Sequence, residues 1–285
     1  MLCKIENEYL SAEINDFGAE LSSLKSKRSG VEYLWQGNPS VWNGRSPILF
    51  PIIGQLLDGK FTYDGNDYYL PKHGFARECV FSLSQSEDSY AKFTLKSDDD
   101  SIRIFPFRFE LSVSFKLDGN NIVVSHEVFN KDEKDMYFSI GAHPGFNCAL
   151  GDYLEFDKRE ILSTERIDDN AIIIDEKFPL LENTSIMEIT KDIFIHDALF
   201  LSGFHSSRIK LKSPRHNREL NFCFESAPFL GIWAKPGAPY VCIEPWYGIN
   251  DSYKMVKDIS EKRGIQKLAP QRAFSFKWTA EISEP

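Results

Sequence analysis

The sequence has little of what several large protein classes require. There is no concentrated block of Lys or Arg, and the formal charge is −9 over 285 residues. A nucleic-acid partner calls for a concentrated positive face, so none is expected. The five cysteines (Cys3, Cys79, Cys148, Cys223, Cys242) are odd in number and scattered, with no CxxC pair. That argues against a disulfide framework and against a zinc knuckle. No apolar run approaches the length of a membrane span, so no membrane partner is expected. The N-terminus, Met1-Leu2-Cys3-Lys4-Ile5-Glu6, lacks the charged-then-apolar pattern of a signal peptide. A cytoplasmic location is the expectation. Helical periodicity is scarce, with only Thr190–Ile193 and Ser252–Lys262 inviting short helical pieces.

What is present is β-forming. The chain holds 23 Phe against five Trp, and Phe-rich composition is mainly a β-core signal. Short apolar-aromatic runs bounded by turn residues recur throughout. Tyr9–Ile14 and Ala19–Leu24 flank Asp16-Phe17-Gly18. Asp64-Gly65-Asn66 between Phe61-Thr62-Tyr63 and Tyr68-Tyr69-Leu70 is a strong hairpin signal. Phe109–Leu117 alternates apolar and polar residues, turns at Asp118-Gly119-Asn120-Asn121, and returns as Ile122–Phe129. Further strands are expected at Tyr137–Ile140, Ala171–Ile174, Ala198–Leu201, Arg208–Leu211, Leu220–Phe224, Phe229–Ala234 and Phe274–Trp278. Asp98-Asp99-Asp100 reads as a solvated turn. Many short strands with few helices predict an all-β protein, a large antiparallel β-sandwich or barrel. No linker or repeat divides residues 1–285, so one domain is expected. A chain of this size buries about 75% of its unfolded surface and needs no covalent staple.

The stretch Tyr240-Val241-Cys242-Ile243-Glu244-Pro245-Trp246-Tyr247-Gly248 is the most informative. Val241–Ile243 read as the end of a buried strand, and Pro245, which cannot donate to a ladder, is expected to terminate it. Glu244 then sits where a rigid strand opens into a loop, and a buried carboxylate is costly unless something pairs with it or uses it. Three other stretches set polar groups among Gly, Pro and aromatics. Arg45 precedes Ser46-Pro47-Ile48-Leu49-Phe50-Pro51. His73 lies in Pro71-Lys72-His73-Gly74-Phe75-Ala76-Arg77, and His143 ends Ile140-Gly141-Ala142. By contrast His126, His196, His205 and His216 sit in ordinary polar or alternating contexts. Two histidines and a glutamate admit two chemistries. One is a His₂Glu metal set, against which stand the long spacings and the absence of HxH or HExxH. The other is a metal-free acid–base pair facing a hydroxyl-rich ligand. Spacing leaves both open.

Five motifs occur in order: Gly18-Ala19-Glu20-Leu21, Leu49-Phe50-Pro51-Ile52, His73-Gly74-Phe75-Ala76-Arg77, Gly141-Ala142-His143-Pro144-Gly145-Phe146 and Ile243-Glu244-Pro245-Trp246. Together they resemble the aldose 1-epimerase (galactose mutarotase) family, most closely its LacX-like branch, over about Tyr9 to Trp278. The resemblance implies a galactose mutarotase-like supersandwich binding a small-molecule aldose on a concave sheet face, with no metal and no organic cofactor. It implies Glu244 as general base and His143 as general acid. It implies His73, Arg45 and Asp197 as sugar-binding groups, with an aromatic such as Phe75, Phe146 or Trp246 beneath the ring. For any single aromatic, core packing is the commoner role. Arg77 raises the alternative of a hexose-6-phosphate mutarotase, since relatives acting on sugar phosphates use arginines there. A silent sugar-binding module is the other alternative, and it would need neither His143 nor Glu244. With reference pKa values of roughly 4.3 and 6.5 for Glu and His, work near neutral pH implies His143 shifted upward by a neighbouring carboxylate. The identity of the sugar and the oligomeric state are not legible.

Overall fold

A computed structural model describes residues 1–285. Its largest element is a 15-stranded antiparallel sheet, beside one three-stranded sheet and two two-stranded ribbons. This is the expected all-β sandwich with few helices. Turn chemistry sets the local hairpins. Asp64 and Gly65 both adopt positive φ (50° and 73°), and the strands Lys60–Tyr63 and Asn66–Tyr69 close around them. Phe109–Asp118 pairs with Asn121–Asn130 in unbroken register from Asp118↔Asn121 to Phe109↔Asn130. In the second strand Ile122, Val124 and Val128 face inward, as alternation requires.

Sixty-six buried apolar residues form one core cluster. Phe50 lies at its aromatic centre, with ring centroids 5.0 Å from Phe109, 5.9 Å from Phe105 and 6.4 Å from Phe75, all edge-on. Such pairs add about 0.5–1.5 kcal/mol each beyond their buried area. Phe146, offered above as a sugar platform, is fully buried in the same cluster, and Phe75 packs on Phe50.

Four local expectations fail, each for a physical reason. Asp98 does not sit in a solvated turn: it accepts from Ser101 N at 2.8 Å in a capping box that starts the one α-helix, Asp99–Ile104. Thr190–Ile193 forms no helix, and Ser252–Lys262 contains only a 3₁₀ turn at Ile259–Glu261. The longest strands, Tyr153–Ile167 and Ile173–Glu188, were not anticipated apart from Ile173 and Ile174. They are charged, Ile161 faces solvent, and four register shifts interrupt their pairing, so period-two alternation is lost. Finally, Pro245 does not end its strand, which runs from Tyr240 to Tyr247. On one flank that strand pairs with Gly145–Asn147 and then with Ile140–Ala142, leaving a gap at the His143-Pro144 bend. Ile243 N donates to the Pro144 carbonyl (3.2 Å) on this flank. Alternation turns residue 245 toward the same flank, in the gap, where no N–H is required.

One buried ion pair pins the segment that follows this strand. Lys262 and Asp251 are 1% and 0% exposed, and their charged atoms are in contact. Asp251 also accepts from Leu57 N (2.8 Å), and its carbonyl accepts from Ile173 N (2.8 Å). Lys262→Ala leaves a buried carboxylate without its cation and is expected to cost about 3–5 kcal/mol. Urea unfolding at neutral pH checks this, and a midpoint unchanged from wild type would contradict it.

Candidate active site

The strand Tyr240–Tyr247 puts Cys242, Glu244 and Trp246 on one face by its two-residue period. Gly231 and Gly141 on the flanking strands leave room for the Trp246 indole: a Cβ at either position would lie 2.6–2.7 Å from it. The bend after Ile140–Ala142 brings His143 over this face. Its Nε2 lies 3.2 Å from Oε2 of Glu244. The two atoms are in contact without an aligned hydrogen bond, since Oε2 has no hydrogen-bond partner.

His73 arrives from a separate loop. His73 and Gly74 are consecutive left-handed residues (φ 68° and 71°), a conformation that costs a non-glycine residue about 1 kcal/mol or more. A Cβ on Gly74 would lie 2.2 Å from the Phe50 carbonyl oxygen, so only glycine fits. That carbonyl accepts from both Phe75 N (3.0 Å) and Ala76 N (3.1 Å), which fastens the loop to the core. Gly54 closes the grip: its N–H donates to His73 Nδ1 (3.1 Å), and its carbonyl accepts from His73 N (2.8 Å). The neutral imidazole therefore carries its proton on Nε2. The two histidine rings stand edge to face with centroids 6.1 Å apart.

These groups line one cavity of ≈220 Å³, together with Lys72, Arg77, Asp197 and Asn250. Its aromatic walls are Trp42, Phe200, Trp233 and Trp246. Trp42 and Trp233 hold the His143 ring at centroid distances of 5.1 and 5.7 Å. Of the six residues expected at the site, Glu244, His143, His73, Asp197 and Arg77 are brought together. Asp197 is exposed, at positive φ (70°), with Oδ1 accepting from Ala198 N (2.7 Å). Arg77 is tethered by Nη2 to the Lys72 carbonyl (2.9 Å). Arg45 does not line the cavity; its carbonyl accepts from Gly145 N (2.8 Å) just beyond the His143 bend, and its N–H donates to Glu20 (2.8 Å). Of the proposed platforms Trp246 is at the cavity, whereas Phe75 and Phe146 belong to the core.

Sequence reasoning missed Lys72, Asn250, Trp42 and Trp233. Lys72 stands beside His73 in the quoted motif, and Asn250 follows the Glu244 strand closely, so position alone could have flagged both. Nothing local marks the two tryptophans. Asn250 is 2% exposed; its Nδ2 donates to the Ala171 carbonyl (2.8 Å), which leaves Oδ1 as an unpartnered acceptor. Nine buried side-chain polar atoms lack a hydrogen-bond partner, and four of them belong to cavity residues: His143 Nδ1, Glu244 Oε2, Trp246 Nε1 and Asn250 Oδ1. Each such atom costs about 1–3 kcal/mol, so a cluster of them marks a place where a polar ligand supplies the partners.

With this geometry in place, comparison with known proteins is informative. The family model described as aldose 1-epimerase matches residues 1–258. The chain belongs to the aldose 1-epimerase family. It is 32% identical over 286 residues to the chromosomal LacX protein of Lactococcus lactis subsp. lactis, covering 95% of each chain. Among solved structures it is similar to a galactose mutarotase related enzyme from Lactobacillus acidophilus. The identity there is 30% and the TM-score 0.95, over 100% of this chain and 98% of that one. A galactose mutarotase-like protein from Lactobacillus casei matches with TM-score 0.94 and 28% identity, over 99% and 100% of the two chains. The fold is thus the galactose mutarotase-like sandwich.

In this member of the aldose 1-epimerase family, burial governs the protonation of Glu244 and His143. Burial pushes the Glu244 carboxyl well above the usual carboxylate range, opposed chiefly by the Lys72 cation. Burial also pushes His143 down to about 3, opposite to the upward shift expected from the sequence. His73 is likewise held well below its ordinary value by burial, reinforced by His143. The site therefore favours the neutral carboxyl of Glu244 and the neutral imidazole of His143. His73 is not among the donors grouped closely enough to hold a metal ion, and with Nδ1 accepting from Gly54 its Nε2 carries the proton. The donors that do lie within 4.8 Å of one another are His143, Cys242 and Glu244, and burial keeps the Cys242 thiol protonated.

A stability prediction follows from Glu244. Its folded pKa is raised, so its contribution is intact below the unfolded value of roughly 4.3 and is lost as pH rises through the folded value. Each unit of that rise is worth about 1.4 kcal/mol. Glu244→Gln removes the titration. Its melting temperature relative to wild type is expected to be near parity at pH 4 and to climb toward pH 8. Melting curves across that range check this, and a difference independent of pH would contradict it.

Proposed function

We propose that this protein interconverts the α and β anomers of a free hexose by acid–base opening and closure of the pyranose ring. The observation that carries this reading is the buried Glu244–His143 contact of 3.2 Å, set in a sugar-sized cavity whose polar atoms lack partners. Ring opening takes the proton from the C1 hydroxyl and gives one to the ring oxygen. Sugar hydroxyls entering the site solvate the Glu244 carboxylate and favour the pair's proton on His143. Glu244 then removes the C1 proton while the His143 imidazolium protonates the ring oxygen. The pair ends with one proton, now on Glu244. After rotation about C1–C2 the same two groups exchange roles, and the ring closes on the other face.

The remaining residues hold the sugar while C1 turns. His73 offers its Nε2 proton as a donor, Asn250 Oδ1 and the Asp197 carboxylate accept, and Lys72 and Arg77 donate. Trp42, Trp233 and Trp246 supply apolar walls for the ring's C–H faces. Arg45 acts at one remove, by fixing Gly145 beyond the His143 bend. A second reading draws on Lys72 and Arg77 together: two cations at one cavity suit a hexose 6-phosphate. The chain's net charge of −9 works against a dianion during approach, which favours the free sugar.

Polarimetric or NMR rates of anomer exchange test the assignment. Glu244→Gln and His143→Asn are each expected to lower the rate about 10²- to 10⁴-fold. Sugar affinity should persist, and the double variant should lose far less than the product of the single losses. Wild-type turnover in Glu244→Gln would overturn the reading. Faster turnover of glucose 6-phosphate than of galactose and glucose, abolished selectively by Arg77→Ala, would replace the free hexose with its phosphate.

A further inference from the structure

The strand face that carries Glu244 holds one group that the proposed reaction does not use. Cys242 precedes Glu244 by two residues, so its side chain stands on the same face. It is fully buried, forms no disulfide, and packs against the His143 bend: a Cβ on Gly145 would lie 3.3 Å from its Sγ. One donor atom from each of His143, Cys242 and Glu244 lies within 4.8 Å of the other two. His143 Nε2 and Glu244 Oε2 are 3.2 Å apart, and that oxygen is buried without a hydrogen-bond partner. Nitrogen and oxygen ligands of a tetrahedral zinc ion, each about 2.0–2.1 Å from the metal, stand about 3.3 Å from one another. A thiolate about 2.3 Å from the metal stands about 3.6 Å from either. The imidazole and carboxyl atoms are already at ligand spacing, and the thiol need close by about 1.2 Å at most.

We propose that His143, Cys242 and Glu244 form an inhibitory site for a divalent transition metal of the zinc class, reached through the cavity. The metal site stands on these three donors; its effect on anomerisation rests on the acid–base reading of Glu244 and His143. Nitrogen, sulfur and carboxylate together suit a borderline-soft ion, whereas Mg²⁺ and Ca²⁺ take oxygen ligands. Coordination releases the thiol proton and the carboxyl proton to solvent. Zn²⁺ with one thiolate, one carboxylate and a neutral imidazole carries no net charge, the form a buried position tolerates. The fourth position faces the cavity, which His143 and Glu244 line, and takes a water or a sugar hydroxyl. Two features keep the binding reversible. Lys72 and Arg77 line the same cavity and repel a dication, and His143 Nδ1 has no acceptor to brace the ring. A bound ion occupies the two atoms that pass the proton, so ring opening stops.

The probe is zinc itself, titrated into the chelator-treated protein, with binding followed by calorimetry and anomerisation by polarimetry. The wild type is expected to bind one ion per chain at micromolar concentration or below and to lose its activity in step. Excess chelator should restore the full rate. Cys242→Ser and Cys242→Ala remove the thiolate, and each should weaken zinc binding about 10²-fold or more. Inhibition, referred to each variant's own metal-free rate, should weaken with it. His143→Asn, at the cavity wall rather than in the core, removes a second ligand and should weaken binding likewise. Co²⁺ in place of zinc should give thiolate-to-metal charge-transfer absorption in the wild type and none in either Cys242 variant. Zinc affinity unchanged by the Cys242 and His143 substitutions would overturn the proposal, as would a charge-transfer band that is missing or that survives without Cys242. Zinc held through the thiolate with the rate undiminished would overturn the inhibition. If no sugar is anomerised while zinc binds with the thiolate signature, the metal site stands and the catalytic reading falls.

Discussion

A carboxyl that is 1% exposed, 3.2 Å from a buried imidazole, is the constraint around which this molecule is arranged. Removing two ionisable groups from water costs several kcal/mol per charge, so each is driven toward its neutral form. A neutral carboxyl beside a neutral imidazole satisfies both demands. The pair then remains ready for a reaction in which one group loses a proton as the other gains it. Its polar surroundings are left incomplete, with unpartnered atoms on His143, Glu244, Trp246 and Asn250. That incompleteness is tolerable only because the rest of the chain over-determines the geometry: 66 packed core residues, a pinned Asp251–Lys262 segment, and a His73 loop clamped by Phe50 and Gly54.

Rigid placement is what strands supply and loops alone do not. Glu244 and Trp246 project from a strand paired on both flanks, so their spacing follows the pleat. His143 occupies the gap that Pro245 makes harmless on one of those flanks. The proline, the bend and the carboxylate are one device: a break in the ladder admits the imidazole, and the residue facing that break has no N–H to leave unsatisfied. Two glycines complete it. Gly74 lets the His73 loop touch the Phe50 carbonyl. Gly54 lets the Asn250 amide approach within 1.8 Å of where a Cβ would stand.

Much of this was legible in the sequence, for identifiable reasons. The Asp64-Gly65 and Asp118–Asn121 hairpins announced themselves because turn residues and alternation agree there. Glu244, His143 and His73 stood out because polar groups among Gly, Pro and aromatics are locally costly and need a use. The long hairpin Tyr153–Glu188 was hidden because exposure on both faces and repeated bulges erase alternation. Trp42 and Trp233 were hidden for another reason: their role comes from facing a cavity assembled by distant segments, which no local pattern records, whereas Lys72 and Asn250 adjoin motifs that stood out. The direction of the His143 shift was misjudged because a neighbouring charge can be read from motifs, whereas depth of burial cannot. Membership of the aldose 1-epimerase family, legible from five motifs in order, carried the fold but not the choice of sugar.

The central claim is that Glu244 and His143 titrate as one unit holding a single proton. The pH dependence of kcat/KM for anomerisation, which reports the free protein, tests it most directly. Isolated groups with ordinary values near roughly 4.3 and 6.5 would give a narrow bell with limbs at those positions. Burial instead predicts a broad plateau. Its acid limb, the addition of a second proton, falls below pH 4.3, toward the value of about 3 at which His143 is held. Its alkaline limb, the loss of the proton from a carboxyl raised by burial, lies well above the ordinary carboxylate value of roughly 4.3. A narrow bell centred between the two ordinary values would contradict the account.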